Sequence, residues 1–235
     1  MQNKRLSIII PVGPGELSWA LLLKDLSVLE NQNIEIILSA VDPQPLGFNE
    51  KYKGIKWIVA PKGRALQMNT GAQLATGEYL WFVHADSRFF GENLISYLLN
   101  AIEKNPNSLF YFNLKFLKGG PKLMVINELG VWIRSHWFGV PFGDQGLALK
   151  KDLFSKLGRF REDVSCGEDH FFVWSARHLG IPLRSVRGAI FTSARKYMKQ
   201  GWFKTTLLHF LITYRQAIPK ALVLFSKRKS FRRKT

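Results

Sequence analysis

The spacing of apolar residues changes several times along the chain, and each change marks an element. Leu6-Ser7-Ile8-Ile9-Ile10-Pro11-Val12 is a β-branched run closed by Pro11 and by Gly13-Pro14-Gly15, which predicts a buried strand followed by a turn. Glu16 then opens a helical stretch reaching about Glu30. A second strand is expected over residues 34–41, ending before Asp42, and a third over residues 55–60. After Gly63, Leu66, Asn69, Gln73 and Leu74 recur at helical spacing until Gly77. The six residues Glu78-Tyr79-Leu80-Trp81-Phe82-Val83 are of strand type and stop at His84-Ala85-Asp86-Ser87, so this segment reads as a helix feeding a buried strand. Further on, residues 146–150 suggest a strand, and residues 171–179 an amphipathic helix terminated by Gly180 and Pro182. Strand, helix, strand, then strand, helix, strand with short connections predicts an α/β fold, a mostly parallel, doubly wound sheet flanked by helices, because parallel neighbours require a crossover helix.

This order delivers Glu16, Asp42 and Asp86 to one edge of one sheet. The carboxyl ends of the strands are where open α/β sheets bind ligands. A lone Asp there can hold a divalent cation against a phosphate, or merely cap the next turn. A second acidic group, Cys166-Gly167-Glu168-Asp169-His170, opens a helix, where two carboxylates serve as reactive groups or as caps. Between them, Trp132, Trp137, Phe138 and Phe142 precede Gly143-Asp144-Gln145-Gly146. Such aromatics form either a binding platform or core, and Asp144 reads as a ligand contact or as a turn aspartate.

Taken together these residues resemble the family 2 glycosyltransferases, which have the Rossmann-like GT-A fold, and in particular a small bacterial subgroup. Members of that subgroup share an Arg-Ala-Xaa-Gln-Met-Asn-Xaa-Gly-Ala helix leading to a Leu-His-Ala-Asp type of strand end. The resemblance rests on five ordered motifs: residues 7–12, residues 63–86, Gly143-Asp144-Gln145-Gly146, Glu168-Asp169 and Thr192-Ser193-Ala194-Arg195. It implies transfer of a sugar from a nucleotide diphosphate sugar to a hydroxyl or carboxyl group, by an inverting single displacement assisted by Mn2+ or Mg2+. By the same resemblance Asp169 is the catalytic base and Glu168 orients the acceptor or the loop. Pro11, Glu16, Asp42, Arg64, Asn69 and Asp86 bind the donor, while Asp144, Gln145 and Trp137 face the acceptor or the donor sugar. Asp86 is the expected metal ligand, with His84, where the wider family has Asp, as a weaker second or a hydrogen-bonded structural residue. Two loops depart from the family pattern: Gly13-Pro14-Gly15-Glu16 stands in place of Asn-Glu, and Asp42 is followed by Pro43-Gln44-Pro45. Arg64, at the start of its helix, suits a phosphate.

Composition sets outer bounds. At 235 residues and 46% apolar content, one ordinary domain with a sizeable core is expected. A single cysteine, Cys166, suits the cytoplasm. Residues 1–5 lead straight into a strand too short for a cleavable leader's apolar region. Charge is uneven: residues 1–169 hold 19 Lys and Arg against 17 Asp and Glu, whereas residues 170–235 hold 15 against none.

From Trp202, apolar residues Phe203, Leu207, Leu211, Tyr214, Ile218, Leu222 and Phe225 follow three- and four-residue steps, and a basic cluster, residues 227–234, comes after. Residues 1–200 are therefore read as the GT-A catalytic domain, and residues 201–235 as an amphipathic helix with a basic tail. Three readings of this extension stand: an anchor on an anionic membrane surface, a stripe packed on the core with a solvated tail, or a nonspecific nucleic-acid contact. The first puts the protein on the inner face of the cell membrane with a lipid or other hydrophobic acceptor. No nucleic-acid motif supports the last. A noncatalytic nucleotide-sugar or anionic-lipid binding protein of the same fold is the alternative. A sugar nucleotidyltransferase is disfavoured, because the first strand lacks a glycine-rich loop with a basic residue for a triphosphate.

Overall fold

The computed structural model describes residues 5–27, 33–90, 93–164, 166–208 and 211. In chain order the elements are β1 (Leu6–Val12), α1 (Trp19–Ser27), β2 (Ile34–Ala40), α2 (Phe48–Lys51), β3 (Lys56–Val59), α3 (Arg64–Leu74), β4 (Tyr79–Phe82), α4 (Leu94–Lys104), β5 (Leu109–Phe116) and α5 (Met124–His136). A 3-10 turn (Gly143–Gln145) then leads to β6 (Ala148–Lys150), α6 (Lys151–Lys156), α7 (Glu168–His178), β7 (Leu183–Thr192) and α8 (Arg195–Gln200). Residues 202–208 are also helical.

One seven-stranded sheet holds the order β3-β2-β1-β4-β6-β5-β7. Every pairing is parallel except those of β6, which runs against both β4 and β5. The expected mostly parallel α/β sheet is therefore present, and the carboxyl ends of β1, β2 and β4 share one edge.

Alternation along the central strands builds two cores. Ile8, Ile10, Trp81 and Val83 face one side, under Leu22 and Leu23 of α1 and Leu98 and Ile102 of α4. Ile9, Leu80 and Phe82 face the other, against Met68 and Ala72 of α3 and Phe172 and Val173 of α7. A two-residue period on a fully buried sheet produces this. On the second side α3 lies so close to β1 that a Cβ at Gly71 would fall 2.6 Å from Ile9 Cγ2.

Two details differ from the sequence expectations. The first helix begins at Trp19 instead of Glu16, because Glu16 accepts the N–H of Ser18 at 2.8 Å and so closes a turn. Strands β5 and β7 and helices α4 and α5 were not anticipated. β5 reads Leu-Phe-Tyr-Phe-Asn-Leu-Lys-Phe, an apolar run without clean alternation. Of the C-terminal stripe, Phe203, Leu207 and Leu211 are exposed. Its continuation, from Tyr214 to Phe225, and the basic cluster at residues 227–234 lie outside the described residues.

A buried carboxylate pins the opposite edge. Glu35 of β2 accepts Ser7 Oγ–H at 2.5 Å, the Thr76 N–H at 2.7 Å and Lys56 Nζ at 2.6 Å, while Ser7 Oγ accepts the Gly77 N–H at 2.9 Å. Burial alone would raise its pKa, but Lys56 and these hydrogen bonds draw it down from 4.5 to about 2. A carboxyl depressed in the folded state contributes stability above its unfolded pKa, and loses it as pH falls towards the folded value. Glu35→Gln is expected to lower the unfolding free energy at pH 7 by about 1–3 kcal/mol. In urea melts that deficit shrinks as the pH is taken down to about 2.5; a deficit independent of pH would refute the ionic account.

Candidate functional site at the carboxyl edge of the sheet

The edge loops are tied together before any reactive group is placed. Gln67, buried on α3, donates to Val12 O at 2.6 Å and to Ser39 O at 2.7 Å, fixing the ends of β1 and β2 near Pro11, which pairs in register with Ser39. Asp42 Oδ2 accepts the Gly15 N–H at 2.8 Å. Trp57 Nε1 donates to Asp42 O at 3.1 Å, so the two departing loops are linked to each other. Glu16 faces Arg195, the first residue of α8, whose Nη2 lies 3.8 Å from its Oε2. The Ser18 hydrogen bond, with Arg195 assisting, holds the Glu16 carboxyl below its ordinary pKa.

Two helix starts meet across the sheet edge. Arg64 opens α3 after Gly63, whose φ of 143° favours glycine. Its Nε donates to Glu168 Oε1 at the first residue of α7. Glu168 is buried while Arg64 keeps one flank in solvent. The next residue, Asp169, accepts the Gly143 N–H at 2.6 Å on Oδ2 and the His170 N–H at 2.8 Å on Oδ1. A Cβ added at Gly143 would lie 3.0 Å from Asp169 Oδ2 and 3.1 Å from His84 Nε2. The end of β4, the 3-10 turn and the start of α7 therefore converge on one point, which glycine leaves open.

The charges shape each other. Burial would raise the Asp169 pKa, but Arg64 and the N–H groups of Gly143 and His170 hold it below the ordinary value. His84 is pushed down from 6.5 to about 4, by burial first and then by Arg64; its imidazole is neutral at neutral pH. Asp86, in the turn closed by Ser87 N–H on His84 O at 3.0 Å, is raised by burial and by the facing Glu16. Among the described residues no three His, Cys, Asp or Glu side chains gather into a metal cluster.

Asp144 is half-buried, and its Oδ1 has no hydrogen-bond partner. Burial pushes its pKa up from 3.8 to about 6 against the opposing pull of Arg134. Arg134, on α5, is a site residue that sequence reasoning missed. Its guanidinium carbon lies 3.3 Å from the centre of the Phe142 ring, its Nη2 donates to Gln145 Oε1 at 3.1 Å, and burial lowers it to about 10. The available signal was the one Arg or Lys in the α5 sequence.

Other expected contacts turn elsewhere. Gln145 is buried and engaged on every side: Oε1 accepts from Ser135 Oγ, Arg134 Nη2 and the Phe142 N–H, and Nε2 donates to Phe112 O. It fixes the turn that carries Asp144. Asn69 clasps the segment after α6, with Nδ2 on Phe160 O and Glu162 Oε1 and with Oδ1 accepting the Phe160 N–H. Trp137 is exposed at the end of α5, its ring 6.2 Å from that of Trp132.

Residues 7–161 match the model of the family described as Glycosyl transferase family 2; Glu168 and Asp169 lie just beyond that match. The fold is similar to that of S. aureus TarS 1-349, at a TM-score of 0.62 and 18% identity over 80% of this chain and 60% of that one. TarS has also been solved in complex with UDP and with UDP-GlcNAc. It is likewise similar to the mannosyltransferase PcManGT from Pyrobaculum calidifontis in complex with GDP-Man and Mn2+, at a TM-score of 0.67 and 17% identity over 92% and 64% of the two chains. At such identities the likeness is one of fold. This chain spans about three fifths of the length of both solved chains. It has no significant match among curated proteins.

A carboxyl whose folded pKa is raised favours folding while protonated and opposes it as pH rises through the folded value. Asp144→Asn should therefore stabilise the protein more at pH 8 than at pH 4. Thermal melts of both proteins at the two pH values test this, and an equal shift at both would remove Asp144 as the titrating group.

Proposed function

The chain belongs to glycosyl transferase family 2, and from that premise we propose that it moves a sugar from a nucleotide diphosphate sugar onto a hydroxyl or carboxyl group of a hydrophobic, lipid-like acceptor. The observation that carries this reading is the convergence of Asp169, His84 and Gly143 beside an arginine fixed by Glu168. The UDP-GlcNAc and GDP-Man complexes of the similar folds support the nucleotide-sugar class of donor.

Each group then has a role. Pro11, Glu16 and Asp42 border the donor's nucleoside end, on loops that Gln67 and the Gly15 N–H hold in place. Arg64 meets the departing diphosphate, and Glu168 orients the guanidinium. Asp169, kept ionised by Arg64 and two main-chain N–H groups, takes the proton of the acceptor hydroxyl. The new bond forms at the anomeric carbon as the bond to the β-phosphate oxygen breaks, and one base suffices for an inverting single displacement. His84, held neutral by burial and by Arg64, leaves the arginine as the cation beside Asp169. Asp144 and Trp137 are left to face the sugar or the acceptor.

The residues fit a divalent cation in one limited way. The carboxylate of Asp86 has no ion pair among the described residues and lies in the field of Glu16, a hard oxygen site suited to Mg2+ or Mn2+ once the donor's phosphates and water supply the other ligands. Such an ion stabilises negative charge on the leaving diphosphate. The catalytic unit is residues 1–200, and residues 201–235 form an extension that keeps the protein peripheral to the inner face of the cell membrane. The exposure of Phe203, Leu207 and Leu211 supports this over packing on the core.

Asp86→Ala should abolish manganese-dependent binding of a nucleotide diphosphate while leaving thermal melting unchanged. Calorimetric titration with and without manganese decides it, and unchanged metal-dependent affinity removes Asp86 as ligand. Asp169→Asn keeps the shape and loses proton acceptance, so turnover should fall by roughly 10² to 10⁴ with donor affinity little altered. A Glu168→Gln variant more damaging than Asp169→Asn in the same assay would exchange the two roles.

A further inference from the structure

Helix α5 is apolar on the side turned away from the protein. Val125, Ile126, Leu129 and Trp132 are 68%, 55%, 57% and 41% exposed, and at 100° per residue they share one face with Gly130, Ile133 and His136. No Asp, Glu, Lys or Arg lies on that face. The charged residues of the helix point elsewhere: Glu128 accepts the Phe116 N–H at 2.8 Å, and Arg134 reaches Gln145. An exposed apolar patch on one face of a helix marks a docking surface.

A neighbouring helix adds exposed apolar residues. Asn127 accepts from Trp202 Nε1 at 2.6 Å and donates to Thr206 Oγ1 at 3.1 Å, so the helix over residues 202–208 lies alongside α5. Thr205 is buried, while Phe203 and Leu207 are exposed. Two adjoining helices thus present apolar side chains to solvent.

Charge selects the occupant. Exposed Lys118 and Lys122 precede α5, exposed Lys199 precedes the second helix, and exposed Lys204 lies on it. Residues 105–143 contain one acidic residue, Glu128, and residues 170–235 contain none. A second copy docked through the same face by a two-fold axis would set this basic rim against itself. An anionic bilayer satisfies both the apolar centre and the basic rim, and tryptophan is favoured at that depth. No described helix is long and apolar enough to cross a membrane.

We propose that the outer face of α5, with the helix over residues 202–208, is an interfacial surface for an anionic lipid bilayer. This binding does not depend on the basic cluster at residues 227–234 or on the glycosyltransferase reading. It does have a consequence for that reading. Gly143 comes five positions after Phe138, a reach of at most ~18 Å, so a bilayer under α5 lies close to the turn that carries Gly143 and Asp144.

The test uses the full chain and the double variant Ile126→Glu/Leu129→Glu, with vesicles of phosphatidylglycerol and phosphatidylcholine and with pure phosphatidylcholine as control. Co-sedimentation is measured at low salt and at roughly 0.5 M salt, where electrostatic attraction of the basic cluster is screened. The expected result is a fall of about tenfold or more in partitioning at both salt concentrations, with melting within ~2 °C of the unaltered chain. Equal pelleting of the two proteins overturns the proposal. So does a large drop in melting temperature, which means that the chain itself covers the face. Self-association of the unaltered chain that the variant abolishes, without vesicle binding by either, assigns the face to a second copy instead.

Discussion

The ion pair between Arg64 and Glu168 is the contact on which the candidate site depends. It joins the first residues of α3 and α7, 104 positions apart in the chain. Both helices direct the positive ends of their dipoles at this edge, an arrangement that repels itself unless anions stand between. Glu168 and Asp169 are those anions. Glu168 is buried, and a buried carboxylate deprived of its partner is strongly destabilising. The pair therefore fixes the seat of α7 and, one residue later, the orientation of Asp169. It also couples the part of the chain that matches the family model, residues 7–161, to acidic residues outside it.

Around that pair the electrostatics divide the carboxyl groups by environment. Asp169 receives two main-chain N–H groups and the field of Arg64, and it stays ionised. Asp144, one residue from the Gly143 that serves Asp169, has one oxygen without a partner and is driven towards neutrality. Asp86 faces Glu16 and is raised as well. Neighbouring acids held at different protonation tendencies are what a proton-transferring site requires. Glycine at position 143 leaves room for the arrangement, since a Cβ there would crowd Asp169 Oδ2 at 3.0 Å and His84 Nε2 at 3.1 Å.

The sequence was readable where pattern and topology agree. The parallel half, from β1 through β4, followed from β-branched runs alternating with glycine-punctuated helices, and Glu16, Asp42 and Asp86 do reach one edge. The second half was harder. β5 is buried on both faces over its first four residues and shows no alternation there, and α5 is apolar on its outward side, so neither has the period that separates strand from helix. Side-chain roles were less legible than positions. Gln145 and Asn69 occupy motif positions, but each satisfies main-chain groups of a neighbouring segment. Arg134 escaped notice because its importance comes from the Phe142 ring and Gln145, which only folding brings beside it.

Strand β6 is three residues long and runs against both of its neighbours. Its beginning therefore lies on the edge where β4 and β5 finish. The stretch between β5 and β6, residues 117–147, departs from that edge and returns to it. Such an excursion can lengthen, shorten or be exchanged without shifting the register of any strand, because neither end is displaced. Within the excursion sit α5, its apolar outer face and the turn with Gly143 and Asp144. A lineage could thus alter this face and this turn by recasting one contiguous cassette, while the parallel strands β1 to β4 stay as they are.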